Sequence, residues 1–126
     1  MKYAYYPGCS LETSAMEYDV SCRRSLERLG AELADIPGWT CCGASAVEPV
    51  SRLLTFALPA RNLALAEGET AGLDLLVPCS ACYLNHLRVG RECAADRALP
   101  GRINEALSVE GLHYAGKVRV RHLLDV

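Results

Sequence analysis

The sequence predicts an α/β fold, a small and mostly parallel sheet flanked by helices, and three observations predict it. Short β-prone or apolar runs alternate with longer stretches of helical period. One of the runs, Asp74 to Val77, is compactly apolar and bounded by Gly72 and Pro78, as a strand buried on both faces of a parallel sheet would be. Five cysteines fall just after the runs, at the carboxyl ends of the expected strands, which is where open parallel sheets gather their ligands.

Each element has its own signal. Lys2 to Tyr6 is short and aromatic and stops at Pro7-Gly8, a strand running into a turn, with Cys9 just beyond it. A helix is expected from about Ser14, where Ser14 and Glu17 have capping-box spacing and Ala15, Tyr18, Cys22, Leu26 and Leu29 recur at three and four residues. Gly30 supplies its stop. Glu32 to Ile36 is a weaker strand ended by Pro37-Gly38, followed by a loop carrying Trp39, Cys41, Cys42 and Gly43. Pro49 to Glu69 is rich in Leu, Ala and Arg and predicts helix, broken or restarted near Pro59. After the Asp74 to Val77 strand come Cys79 and a helix from Ser80 to about Ala94. A shorter helix is expected over Ile103 to Val109, and a last strand over Lys117 to Arg121 with Val118 and Val120 on one face.

Composition narrows the function classes. At 126 residues the chain has the size of one domain, residues 1–126, able to bury a core without disulfides or metals. A net charge of -2 argues against a nucleic-acid surface. No apolar run approaches a membrane span, and Met1 to Tyr6 lacks the features of a signal peptide, so a cytoplasmic setting is expected. In that setting seven cysteines, an odd number, point to metal or redox chemistry before structural disulfides.

The five cysteines have the spacing C-x31-C-C-G-x35-C-x2-C. Cys79 and Cys82, at a helix start, can direct both sulfurs to one metal centre, and the helix N-terminus favours the ligating thiolate. The adjacent Cys41 and Cys42 diverge too much to suit a single ion but can meet a multi-iron cluster from different directions. Gly43 would let the backbone pass close to it. Five sulfurs exceed by one what a tetrahedral zinc site or an ordinary cubane needs.

Cys9, the Cys41-Cys42-Gly43 triplet and Cys79-Ser80-Ala81-Cys82 resemble the cysteine-rich CCG domain found in the B component of heterodisulfide reductase, here its N-terminal half. Related subunits of lactate-utilisation, anaerobic glycerol-3-phosphate dehydrogenase and some succinate dehydrogenase systems carry it too. Tyr6-Pro7-Gly8-Cys9 at the start and Val118-Arg119-Val120-Arg121-His122 at the end extend the likeness over nearly the whole chain. The resemblance implies that Cys9, Cys41, Cys42, Cys79 and Cys82 ligate a non-cubane [4Fe–4S] cluster, two smaller iron–sulfur units fused. It further implies electron transfer to, or reduction of, a disulfide such as that between coenzyme M and coenzyme B. Implied partners are other subunits of a redox complex, among them a second CCG domain and a ferredoxin-like iron–sulfur subunit. The full subunits usually carry two such domains, so this chain is expected to supply half of the site.

Two other functions stay open from the residues alone: a Zn²⁺-binding assembly domain using four of the thiolates, and a metal-free thiol oxidoreductase using Cys79 and Cys82. Cys22 is expected in the core. Cys93 would stand roughly 16 Å along the helix from Cys82, too far to ligate. His86, one turn past Cys82, is expected as a partly buried histidine able to reach a sulfur, His122 as a neighbour of the site's edge and His113 as a loop residue. Trp39 either shields the site or simply packs. The arginines between Arg88 and Arg102 are expected as solvated charges.

Overall fold

The computed structural model describes residues 2–8, 16–42, 51–70 and 72–122. Strand β1 (Lys2–Tyr5) has β2 (Glu32–Asp35) on one side, β3 (Leu75–Val77) on the other, and β4 (Val120–His122) beyond β3. Every pairing is parallel. The helices are α1 (Met16–Arg28), α2 (Arg52–Glu69), α3 (Ser80–Ala95) and α4 (Leu99–Leu107), the last prolonged by a 3-10 turn over Ser108–Glu110.

The two-residue period of the strands sorts their side chains into two cores. Tyr3, Tyr5 and Leu76 face one way and meet Cys22 and Leu26 of α1. Ala4, Tyr6, Leu75 and Val77 face the other, into a larger core that α2, α3 and α4 complete with residues such as Phe56, Leu63, Val89 and Ile103. Helices on both faces of a parallel sheet make the fold α/β, as expected. On the α1 side Arg23 grips Asp19 at 3.0 Å and Asp35 at 2.9 Å, and Tyr5 donates to Asp19 at 2.7 Å, tying the helix to β1 and β2.

The strand order places the site. From β1 the chain goes to β2 on one side and then crosses back to β3 on the other, so a crevice opens between β1 and β3 at their carboxyl ends. The segments after β1, β2 and β3 carry Cys9, Cys41-Cys42 and Cys79-Cys82 in turn.

Several boundaries differ from expectation. Helix α2 is continuous through Pro59, which is buried inside it together with Phe56, Ala57, Ala60, Leu63 and other residues. Ser51 caps this helix, its Oγ accepting from Leu54 N at 3.2 Å, and burial on both sides of the proline outweighs the single backbone bond it removes. On α1 the buried face is Cys22 and Leu26 alone, while Tyr18 and Leu29 are exposed, because only one side of this helix meets the sheet. Helix α4 starts at Leu99, four residues before the expected Ile103, with Pro100 in its first turn where a missing N–H costs nothing. Strand β4 begins at Val120 and runs to His122, so Val118 packs on the core from the preceding loop. The expected capping box at Ser14 and the stripe residue Ala15 lie outside the described residues.

Candidate metal centre

Cys42 and Cys82, forty residues apart in sequence, bring their sulfurs to 3.6 Å in the buried crevice. Cys82 sits in the first turn of α3, and Cys79 is the residue immediately preceding that helix, in extended backbone, with no side-chain cap of its own. The loop after β2 carries Cys42 inward, where it is buried, and leaves Cys41 exposed. Cys79 is half-buried and close enough to interact with Cys82. Cys9 and Gly43, the other expected parts of the site, lie outside the described residues. Among the described residues no three His, Cys, Asp or Glu side chains form a complete metal-binding group.

The chemistry of the pair fits a sulfur-ligated metal group. Two thiolates on one tetrahedral metal with bonds of ~2.3 Å stand ~3.8 Å apart, close to the separation found here. A Cβ added to Gly8 would come 3.1 Å from the Cys82 sulfur, so the β1 turn passes close to that sulfur and leaves little room for a side chain there. Asn85, one turn along α3, donates from Nδ2 to the Cys42 sulfur at 3.4 Å. A hydrogen bond to a ligating sulfur is one of the means by which proteins set the potential of such a group.

The hydrogen bond shared with Cys42, burial, and repulsion from Cys42 and Cys79 all push the Cys82 thiol well above its ordinary range. A bound cation reverses that penalty, since thiolates crowded together are what it pairs with.

Around the sulfurs stands a buried polar frame with little local signature in the sequence. His86 is 1% exposed. Its Nδ1 donates to the Cys82 carbonyl at 2.6 Å and its Nε2 accepts from Asn62 Nδ2 at 3.3 Å. Both nitrogens are engaged with protein atoms other than the sulfurs, and burial holds the ring neutral, its pKa pulled down to about 4. Tyr6 packs against it with ring centroids 4.6 Å apart, and Trp39 meets the edge of Tyr6 at 5.1 Å. His122 does border the site: its Nε2 lies 3.3 Å from Ser80 Oγ, inside the Cys79–Cys82 segment, and its ring packs on Tyr83. Cys22 is buried in the α1 core, Cys93 packs against the main core, and His113 is exposed in a loop. Of the arginines expected to be solvated, Arg88 is only half-exposed, its guanidinium 5.6 Å from the centre of the Phe56 ring. One signal for the frame was available: Asn62 is an uncharged polar residue directly before the apolar run Leu63 to Ala66.

Comparison with known proteins assigns the family. The cysteine-rich domain family CCG matches residues 3–86, two thirds of the sequence, and the chain belongs to it. Among curated relatives, it is 39% identical over 125 residues to the 8-methylmenaquinol:fumarate reductase membrane anchor subunit of Wolinella succinogenes, covering 99% of this chain and 43% of that one. It is 32% identical to a heterodisulfide reductase B-like protein of Archaeoglobus profundus, over 98% of this chain and 41% of the relative. A Methanosarcina acetivorans relative, the B component of a ferredoxin/F(420)H(2)-dependent CoB-CoM heterodisulfide reductase, is 27% identical over 98% of this chain and 41% of its own length. The chain thus spans less than half the length of these relatives. In fold it is similar to a hypothetical protein from Helicobacter pylori, with a TM-score of 0.83 at 22% identity, over 98% of this chain and 24% of the other. No described helix is long and apolar enough to cross a membrane.

Proposed function

We propose that this chain is an iron–sulfur module of a multi-subunit reductase, with Cys9, Cys41, Cys42, Cys79 and Cys82 holding a non-cubane [4Fe–4S] cluster. The observation that carries the reading is the 3.6 Å approach of the Cys42 and Cys82 sulfurs, from separate segments, at the carboxyl ends of parallel strands. Membership of the cysteine-rich domain family supports it, as do relatives that are subunits of reductases. When bound, the cluster supplies one-electron transfer within a redox complex.

The chain's own residues account for the setting. Cys42 and Cys82 supply buried thiolates, Asn85 offers an N–H to one of them, and Gly8 brings backbone up to the other. Cys41, exposed at the rim, places the fifth sulfur where an electron partner or substrate approaches. Disulfide reduction at that rim is the narrower proposal, drawn from the heterodisulfide reductase relatives; electron delivery is what those and the fumarate reductase relative have in common. A second cysteine-rich domain and a ferredoxin-like subunit in the cytoplasm are the proposed partners.

Metal analysis of anaerobically prepared protein tests the reading. Iron and acid-labile sulfide are expected in equal amounts, about four of each per chain, with visible absorption and a paramagnetic signal on oxidation. One zinc per chain without sulfide would overturn the proposal in favour of an assembly domain.

A further inference from the structure

Three cysteine-bearing segments meet at the site, and one cysteine-free helix touches two of them. Arg61 and Asn62 are consecutive on α2. Arg61 Nη1 donates to the carbonyl of Gly38 at 2.7 Å, while Asn62 takes both backbone groups of Thr40, accepting from its N–H at 2.9 Å and donating to its carbonyl at 2.8 Å. Thr40 directly precedes the cysteine pair. Tyr6, three residues before Cys9, donates its hydroxyl to the same Thr40 carbonyl at 2.9 Å. The second proton of Asn62 Nδ2 goes to His86 Nε2, and His86 Nδ1 holds the carbonyl of Cys82.

Asn62 and Tyr6 are 0% exposed, and the bonds that run from Asn62 through His86 to the Cys82 carbonyl are buried, while those to Thr40 are part-buried and the Arg61 bond to Gly38 lies at the surface. The orientation of the amide is forced: Thr40 N–H demands an oxygen, Thr40 C=O demands a donor, and a single Asn side chain meets both only one way round. That choice leaves a donor facing His86, which fixes the imidazole as the tautomer with its proton on Nδ1, aimed at Cys82. Four residues are thereby tied into one unit, and each is either on a cysteine-bearing segment or bridges two of them. None of the contacts involves a sulfur. A network in which the Asn62 amide, the His86 ring and both Thr40 backbone groups are paired favours one arrangement over others.

The geometry points to Asn62 as a positioning residue: with Tyr6 and His86 it forms a latch that sets the Cys42–Cys82 separation before any metal arrives. The inference rests on the ligand assignment above and adds that the site is preformed by the polypeptide. Without the latch, the loop after β2 would have to be gathered in by the metal itself, and the ordering cost would fall on binding.

The test is made on reduced, metal-free protein, so that it does not depend on cluster assembly. Diamide oxidises two neighbouring thiols to a disulfide, taking up both electrons and both protons, and peptide mapping by mass spectrometry tracks the Cys42–Cys82 bond. Its rate reports how much of the time the two sulfurs are held together. Asn62→Leu, which keeps the volume and removes the amide, is expected to slow the bond about tenfold or more, since three hydrogen bonds, one of them buried and two part-buried, are lost. Tyr6→Phe, deleting one hydroxyl and keeping the fold, should slow it about threefold to fivefold. Leu26→Ala, a destabilising change in the opposite core, should leave the rate within about twofold of wild type. Wild-type rates in both Asn62→Leu and Tyr6→Phe, or equal slowing in Leu26→Ala, overturn the latch. Either of those results would leave the ligand assignment standing, and a protein that formed the disulfide as expected but took up no iron would overturn the assignment and keep the latch.

Discussion

Replacing Cys42 or Cys82 by alanine is expected to leave anaerobically reconstituted protein without iron or sulfide, whereas Cys93→Ala keeps both. The two target sulfurs face each other at 3.6 Å in a buried crevice, and either substitution removes one of this buried pair from the site. The loss should be all or nothing in iron content, because a cluster missing a buried ligand has no water-accessible substitute there. Cys93 is a fair control: it is a half-buried thiol on the same helix as Cys82, packed against the core and pushed up in pKa by its burial and by Asp96 and Glu92. Cys22→Ala serves on the opposite face of the sheet. Deleting one thiol from a core costs on the order of 1 kcal/mol, so all four variants should remain folded, as circular dichroism would check. Equal iron in the Cys42, Cys82 and Cys93 variants would refute the ligand assignment.

The sheet and the approach of two of its cysteines could be read in advance because both depend on local pattern. Aromatic and apolar runs closed by Pro-Gly, Gly or Pro marked β1, β2 and β3, and a parallel arrangement then sends the segment after each strand to the same end. The features that escaped are non-local. Pro59 has a strong intrinsic preference against helix interiors, and only the core packed around α2 shows why the helix runs through it. Tyr18 and Leu29 share the period of Cys22 and Leu26, yet the sheet covers only the latter two, and periodicity cannot say how wide the covered stripe is. His86 could be placed one turn from Cys82, but its bond to Asn62 joins residues 24 apart and has no local signature. The start of α4 at Leu99, four residues ahead of the expected Ile103, does have a sequence signal that the expectation passed over, since Pro100 in a first turn marks a helix start.

A second large effect is expected from one methyl group. Gly8 and Gly30 have the same positive φ of 84°, a conformation that costs a residue with a side chain about 1–2 kcal/mol. Their surroundings differ completely. A Cβ at Gly30 would meet nothing within 4 Å, while one at Gly8 would lie 3.1 Å from the Cys82 sulfur and 3.7 Å from the Tyr6 ring. The Tyr6 ring is packed against His86 and Trp39, so neither neighbour can yield without disturbing the frame. Gly8→Ala and Gly30→Ala should therefore lose similar stability in urea unfolding, with only a modest excess for Gly8. They should part in the metal-loaded protein, where Gly8→Ala moves a sulfur held in the crevice and Gly30→Ala moves nothing near it. The expectation is a several-fold fall in iron retained through gel filtration, or a changed paramagnetic spectrum, in Gly8→Ala alone. Matching iron content and spectra in the two variants would mean that the β1 turn does not abut the cluster, and the proposed place of the metal in the crevice beside that turn would have to be abandoned.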